Sequence, residues 1–309
     1  MKSYYRLMLG EKSKHASECL SGNFVGTDFH MHQDLSCHLP DQWRDFNKEF
    51  IPVYLKIHPE KSKVAAGLAC GAIWTVSKGM LNGDTILSPD GTGSYRVGEI
   101  IGDYSYAAGQ ILPHRRAVKW LGQSIKREDM SQELKNSTGS IGTVSNITKY
   151  SDEIEKLIAG TAPPKIITTD DTIEDPATFA MEKHLEEFLV SNWSQTELGK
   201  QYNIYTDEGQ IVGQQFPTDT GPIDILAISK DGKKLLVVEL KRGRASDVVV
   251  GQTLRYMGYV QDELAESNQT VHGVIIALEN DPKLKRAISM VPAIEFYRYA
   301  VSFKLIKGW

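Results

Sequence analysis

Apolar residues run along the chain in short blocks, and the pattern of those blocks changes near residue 160. In the second half, Gly221–Ser229 (GPIDILAIS) and Lys234–Leu240 (KLLVVEL) are apolar runs of strand length. The Asp231-Gly232 pair between them is a strong short-range signal for a hairpin. Asp175 followed by Pro176 reads as an N-cap with proline at the first helical position, predicting a helix that runs to about Asn192. Ser246-Asp247 predicts the cap of a second helix ending near Glu266, and Val271–Leu278 reads as another buried strand. In the first half, Tyr4–Leu9, Thr85–Ser88 and Tyr95–Ile101 alternate with glycine-rich turns, and Ser62–Gly79 carries helical spacing at Val64, Leu68, Ile73 and Val76. That pattern predicts a small domain of helices and strands with a curved sheet or barrel.

Between the halves, Gly160–Pro176 holds three prolines among threonines and aspartates and has little periodicity. The expected organisation is a first domain over 1–159, a linker over 160–175 and a second domain over 176–309, in an α/β (α+β) chain. Composition narrows the function classes. Of 309 residues, 41% are hydrophobic and 24% charged, as in ordinary globular proteins. No segment approaches the ~18 consecutive apolar residues of a membrane span. The opening MKSYYRLMLGEKSKH is too interrupted for a signal peptide, and Cys19, Cys37 and Cys70 include no CxxC pair. A cytoplasmic protein with no membrane partner is the expectation. Net charge is −4, so neither half is a polycation, but Lys241, Arg242, Arg244 and Arg255 form a local basic cluster able to meet phosphates.

The hairpin carries the chemistry. A turn centred between Asp231 and Gly232 sets Ile228 opposite Leu235, Leu226 opposite Val237 and Asp224 opposite Glu239. Two opposed carboxylates repel each other, and in so apolar a strand they need compensation. Mg²⁺ or Mn²⁺ supplies it, because these hard cations are held by one or two carboxylates plus water and substrate phosphate. Strand alternation puts Lys241 on the same face as Glu239, where it could hold an attacking water or developing phosphate charge. Gln252 and Tyr256, four residues apart, share a face of the second helix, with Val250, Leu254, Met257 and Leu264 as its apolar stripe. On the first helix, with Met181, Leu185, Phe188, Leu189 and Asn192 inward, Glu182 lies roughly 70° from the inward centre, Glu186 roughly 110° and Glu187 roughly 150°. Glu182 is therefore the expected third acid, and Glu186 the alternative.

Taken together, Gly221-Pro-Ile-Asp224, Glu239-Leu-Lys241 and Gln252-Thr-Leu-Arg-Tyr256 resemble the PD-(D/E)xK nuclease superfamily over about residues 175–309, in particular its RecB-like and NucS-type C-terminal domains. The resemblance implies a restriction-endonuclease-like core in which Asp224, Glu239 and Glu182 hold the metal, Lys241 assists the nucleophilic water, and Gln252 and Tyr256 support substrate and site.

The first half offers Phe24, Trp43, Trp74, Tyr95, Tyr104, Tyr106 and Trp120 among turns and strand ends. Aromatics there could stack an extruded base, or simply fill the core. His114, Arg115, Arg116 and Lys119 are candidate phosphate contacts. The series Gly22-Asn23-Phe24-Val25-Gly26, Trp74-x-x-x-Lys78, Gly83-Asp84 and Tyr95-x-Val-Gly-Glu99 is similar to the EVE-like branch of PUA-superfamily domains. That resemblance implies a small β-barrel with a pocket for a flipped modified base, lined by candidates Asn23, Phe24, Trp43, Trp74, Tyr95, Tyr104 and Tyr106. The stretch Asp28-Phe-His30-Met-His32-Gln-Asp34, with Cys37 and His38, has zinc-type residues, but its spacing matches no strong zinc pattern and is expected to reflect turn chemistry and exposure.

The resulting expectation is a Mg²⁺- or Mn²⁺-dependent DNA endonuclease, acting as a homodimer on modified double-stranded DNA in restriction or defence. Two alternatives stand beside it: a NucS-like repair nuclease for mismatched or branched DNA, and a non-catalytic reader of modified nucleic acid.

Overall fold

Alternating buried and exposed positions resolve, in the computed structural model, into two main sheets with separate cores. Residues 2–139, 142–160, 185–279 and 281–299 are described. The chain forms two units, 1–172 and 173–309. The expected linker after Gly160, the first nine residues of the expected 176–192 helix and Glu182 itself lie outside the described residues.

In the first unit, β1 (Tyr4–Leu7), β2 (Phe24–Thr27), β3 (Thr85–Pro89), β4 (Ser94–Tyr106), β5 (His114–Lys126) and β6 (Val144–Asn146) form one sheet in the order β2-β5-β4-β3-β1-β6. Only β1–β3 pair in parallel. The expected closed barrel is thus replaced, among the described residues, by an open order with β2 and β6 at its ends. The reason lies in the alternation. Tyr5, Leu7 and Ile86 enter one cluster with Val25 and Val118, whereas Tyr4 and Leu87 enter another with Tyr95, Val97 and Ile125. The sheet divides two cores and does not wrap around one. A third cluster lies between the helices Trp43–Ile57 and Lys63–Trp74, through Phe46, Phe50, Tyr54, Ala66, Ala69 and Ile73. The second of these helices starts where expected, with Ser62 Oγ accepting from the Ala65 amide at 3.1 Å, and Thr75–Gly79 continues it in a wider turn. The first escapes a sequence reading because Pro52, ordinarily a helix breaker, sits inside it.

In the second unit, β7 (Tyr202–Ile204), the small hairpin β8 (Thr206–Asp207) and β9 (Gln210–Ile211), and β10 (Gln214–Phe216) precede β11 (Ile223–Ser229) and β12 (Lys234–Arg244). After them come β13 (Thr270–Glu279) and β14 (Ile294–Arg298). The main sheet runs β10-β11-β12-β13-β14, with β7 also paired to β11. The β11–β12 hairpin has the expected register, Ile228 to Leu235 and Leu226 to Val237. Its turn is closed by the Gly232 amide donating to the Ser229 carbonyl at 2.8 Å, and by Asp231 Oδ1, which accepts from Ser229 Oγ at 2.6 Å and from the Lys233 amide at 3.1 Å. Gly232 supplies the left-handed φ of +73°.

Parallel pairing of β12 with β13 requires a crossover, and the helix Val248–Tyr259 provides it, extended by a wider turn over Val260–Leu264. Asp247 stands at the cap position, but its side chain makes no capping hydrogen bond. Leu254, expected on the apolar stripe, is exposed; the buried face is Val249, Val250, Thr253, Tyr256, Met257 and Tyr259. Among the described residues no helix is long and apolar enough to cross a membrane.

The crossover helix lies close on the sheet at Gly273, where an added Cβ would come within 2.7 Å of Met257 Sδ and 2.9 Å of Thr253 Cγ2. Gly273→Ala is therefore expected to push the helix outward and to lower stability by about 1–3 kcal/mol. Urea denaturation of the full chain checks this, and unchanged stability would show that the helix has slack.

Candidate active site

The face of β12 that carries Leu236 and Val238 packs, with Ile225 and Ala227, against Trp193, Leu198 and Ile204. Alternation sends Glu239 and Lys241 to the opposite face. The hairpin register, continued one step past Ile225–Val238, sets Asp224 opposite Glu239. Asp224 Oδ2 accepts from the Leu240 amide at 2.7 Å, which ties the first acid to the backbone of the strand bearing the second. Glu239 is 3% exposed, and its Oε1 accepts from Lys241 Nζ at 2.8 Å. The same Nζ donates to Gln252 Oε1 at 3.1 Å, and Gln252 Nε2 donates to Tyr256 Oη at 3.4 Å. Five of the six residues expected in this site are thus joined into one hydrogen-bonded constellation. Gly221, at φ +126°, leaves room for the tyrosine, since an added Cβ would lie 3.1 Å from Tyr256 Oη.

The electrostatics of this constellation work against one ionised group. Burial, followed by the nearby Asp224 charge, pushes the Glu239 carboxyl up from 4.5 to about 7, and Lys241 only partly opposes the shift. Glu239 Oε2 is buried and has no hydrogen-bond partner among the described residues. A buried carboxylate oxygen left without a donor is costly, whereas hard oxygens of this kind suit a divalent cation. Asp224 and Glu239 therefore fit Mg²⁺ or Mn²⁺. Burial also raises the Tyr256 phenol, with Glu239 and Asp224 adding to the effect and Gln252 opposing it. Tyr256 is a neutral hydrogen-bonding group at ordinary pH.

A further acid approaches from the helix Leu185–Ser191. Glu186 Oε1 accepts from Gln214 Nε2 at 2.8 Å and its Oε2 from Gln215 Nε2 at 2.6 Å; Gln215 Nε2 also reaches Asp224 Oδ1 at 3.2 Å. One amide group therefore bridges Glu186 and Asp224. The expected phase of this helix needs correction: Phe188, assigned inward, is 63% exposed, while Leu189 and Val190 pack on the core. This rotation turns Glu186 toward the sheet. Gln215 was not foreseen, and its backbone explains why, because a non-glycine residue at φ +49° within a strand leaves no pattern in the sequence. The side chains of Arg242 and Arg244 lie outside the described set, and Arg255 is exposed.

In the first unit Tyr95 packs in one core cluster, Phe24 on a second, and Trp74 and Tyr104 on a third. Tyr95 is 5% exposed within a core cluster, and its hydroxyl is bonded to the Thr138 carbonyl and Arg127. Phe24 packs on a second cluster beneath the Arg115 guanidinium, 3.9 Å from the ring centre. Asn23 is exposed and ends the helix Ala16–Gly22 in the left-handed conformation. Trp43 and Trp74 lie 5.7 Å apart, and Trp74 donates to the Pro40 carbonyl. Tyr104 bonds His114 Nδ1 at 2.9 Å, and the Tyr106 ring lies 5.3 Å from the His114 ring. Among the candidate phosphate contacts, His114 and Arg116 are buried; His114 bonds the Met31 carbonyl, and Arg116 donates to the Gly102 carbonyl at 2.7 Å. These two serve the fold. Arg115 is spent largely on Phe24 and the carbonyls of Leu112 and Ile111, and Lys119 is exposed.

Comparison with known proteins divides in the same way. Residues 181–291 match the family described as the endonuclease NucS C-terminal domain, and residues 5–148 match a domain of unknown function (DUF8426). Endonuclease NucS of Corynebacterium glutamicum (strain R) is 36% identical over 115 residues, which is 36% of this chain and 44% of the relative. Endonuclease NucS of C. glutamicum strain ATCC 13032 is 36% identical over 106 residues, 34% of this chain and 40% of the relative. The chain thus matches less than half the length of these curated relatives. Two solved structures are also similar. The EndoMS–dsDNA2 complex is 16% identical, covering 71% of this chain and 66% of that one at a TM-score of 0.33; a repair endonuclease from Pyrococcus abyssi is 15% identical, covering 68% and 66% at 0.30.

The raised Glu239 carboxyl has a measurable consequence in metal-free protein. Between about pH 4.5 and about pH 7 the folded state keeps a proton that the unfolded state has released, so this group's stability contribution falls as pH rises through that window. The wild-type chain should therefore lose stability relative to Glu239→Gln across that range. Paired denaturation curves that stay parallel would refute the assignment.

Proposed function

We propose that residues 173–309 form a metal-dependent nuclease that hydrolyses DNA phosphodiester bonds. The observation that carries this reading is the buried Glu239 carboxylate, opposed by Asp224, bonded to Lys241 and with one oxygen unpartnered among the described residues. The match of residues 181–291 to the NucS C-terminal family supports it independently.

In this reading Asp224 and Glu239 hold Mg²⁺ or Mn²⁺, with Glu182 or Glu186 as a third carboxylate. When bound, the cation would stabilise negative charge developing on the scissile phosphate. The chain's own groups do the rest. Lys241 Nζ, fixed between Glu239 and Gln252, directs its remaining donor capacity toward a nucleophilic water or a phosphate oxygen. Gln252 holds that ammonium with its carbonyl oxygen and Tyr256 with its amide, so the lysine cannot swing away without breaking a chain of bonds. Gln215 keeps Asp224 and Glu186 within one hydrogen-bonded network.

For the substrate, a NucS-like nuclease acting on mismatched or branched DNA stands ahead of modification-dependent restriction. The family match falls on the nuclease unit, whereas the aromatics expected to form a modified-base pocket are distributed over separate clusters. One site of this kind cuts one strand, so double-strand cleavage would take two protomers, with a two-fold homodimer as the simplest assembly.

The test is cleavage of plasmid and of mismatched or branched duplexes by the full chain with Mg²⁺ or Mn²⁺. Asp224→Ala, Glu239→Ala and Lys241→Ala should each reduce the rate by about 10²-fold or more while the protein remains folded. Retained cutting by a chain lacking both carboxylates would overturn the site. Removing Glu186 should cost more activity than removing Glu187, and the reverse order would overturn the helix phase given above.

A further inference from the structure

We propose that the first unit binds a divalent transition-metal ion, best matched by Zn²⁺, through Asp28, His30 and His32. The proposal does not rest on the nuclease reading, because all three ligands lie in residues 1–172.

The loop after β2 brings the three together. Met31 is fully buried among Leu35, Phe46 and Phe50, and its carbonyl accepts from His114 Nε2 at 2.7 Å, so the loop is pinned at its centre by packing and by a hydrogen bond. His30 and His32 flank this anchor and are both exposed. The turn that folds Asp28 back onto them is held by the Met31 amide donating to the Asp28 carbonyl, and by the His30 amide donating to Asp28 Oδ1 at 3.0 Å. Phe29 and His30 adopt left-handed φ values of 54° and 56°, which is how residues spaced two apart in sequence converge. One ligand atom from each residue lies within 4.8 Å of each of the others.

One edge of the cluster, from Asp28 to His32, fits a metal better than an ion pair, and the other pairs lie within 4.8 Å. His32 Nε2 lies 3.3 Å from Asp28 Oδ1. A charge-assisted hydrogen bond is ordinarily ~2.7–2.9 Å. By contrast, ~3.3 Å is the ligand-to-ligand edge expected of a tetrahedral site with zinc bonds of ~2.0–2.1 Å. Two imidazoles and one carboxylate favour zinc and its first-row neighbours over Mg²⁺ or Ca²⁺, which take oxygen. Three protein ligands leave a position for water or an anionic oxygen, and the exposed histidines make that position accessible. His58, whose ring centre lies 5.6 Å from that of His30, backs the loop: its Nε2 bonds the Phe29 carbonyl and its Nδ1 faces Glu60. It supports the site without being needed as a ligand.

The experiment uses the untagged full chain, stripped with chelator and titrated with Zn²⁺ against a chromophoric competitor, and then with Co²⁺ followed by visible absorption. In a chain carrying both Asp224→Asn and Glu239→Gln, which removes the carboxylate pair of the second unit, the expected result is one equivalent of Zn²⁺ per chain, with the more intense visible bands of low-coordinate Co²⁺. Adding His38→Ala to that chain should leave the equivalent in place. His30→Ala and His32→Gln should each weaken binding by at least about tenfold, with circular dichroism unchanged because both side chains are exposed. Stoichiometric binding that survives loss of both histidines would overturn the proposal, as would the absence of any stoichiometric site in the wild-type chain.

Discussion

The candidate site depends on one uncomfortable carboxylate. Glu239 follows the apolar run 235–238 of β12, 3% exposed, with a second acid across the hairpin and Lys241 beside it. Burial and like charge both work against its ionised form, and Lys241 opposes them only in part. The surrounding structure follows from managing that charge. Leu240 offers its amide to Asp224, Gln252 restrains Lys241, Tyr256 restrains Gln252, and Gln215 bridges Asp224 to Glu186. Each of these contacts lowers the cost of holding acids together, and a divalent cation would lower it further.

The scaffold makes such a site possible because the two faces of the hairpin do different work. Leu236 and Val238 bury against Trp193 and Leu198 on one face, a packing that fixes the register. Register in turn fixes which residues meet on the other face. A slip of one residue would carry Glu239 into the hydrophobic cluster, a change more costly than any single contact in the site. The crossover helix then delivers Gln252 and Tyr256 because parallel pairing of β12 with β13 demands a connection over that face.

What could be read in the sequence, and what could not, follows the same physics. The hairpin was legible because Asp231-Gly232 sets the turn and alternation sets everything upstream and downstream of it. Gln252 and Tyr256 were legible because a helix repeats every 3.6 residues. Less was legible where a local rule is broken. Pro52 hides a helix, and the left-handed Gln215 hides a bridge between two acids. Phe188 points outward, so a phase drawn through it misjudges Glu186. In the first unit, Asp28, His30 and His32 have no recognised zinc spacing, and only the two consecutive left-handed residues between Asp28 and Met31 bring them together. Aromatic content likewise indicated a pocket where the chain forms separate clusters, since packing and base stacking draw on the same residue types.

The central claim, that Asp224 and Glu239 together hold a divalent metal, is tested most directly by counting the protons released when Mn²⁺ binds. Calorimetric titration of the full chain carrying His30→Ala and His32→Gln, in buffers of different ionisation enthalpy, gives that number. With the Glu239 carboxyl near 7, binding at pH 7 should release about half a proton and at pH 8.5 almost none, and Glu239→Gln should lose both the proton and the binding. Mn²⁺ binding that releases no proton at pH 7, or that survives Glu239→Gln unchanged, would contradict the account.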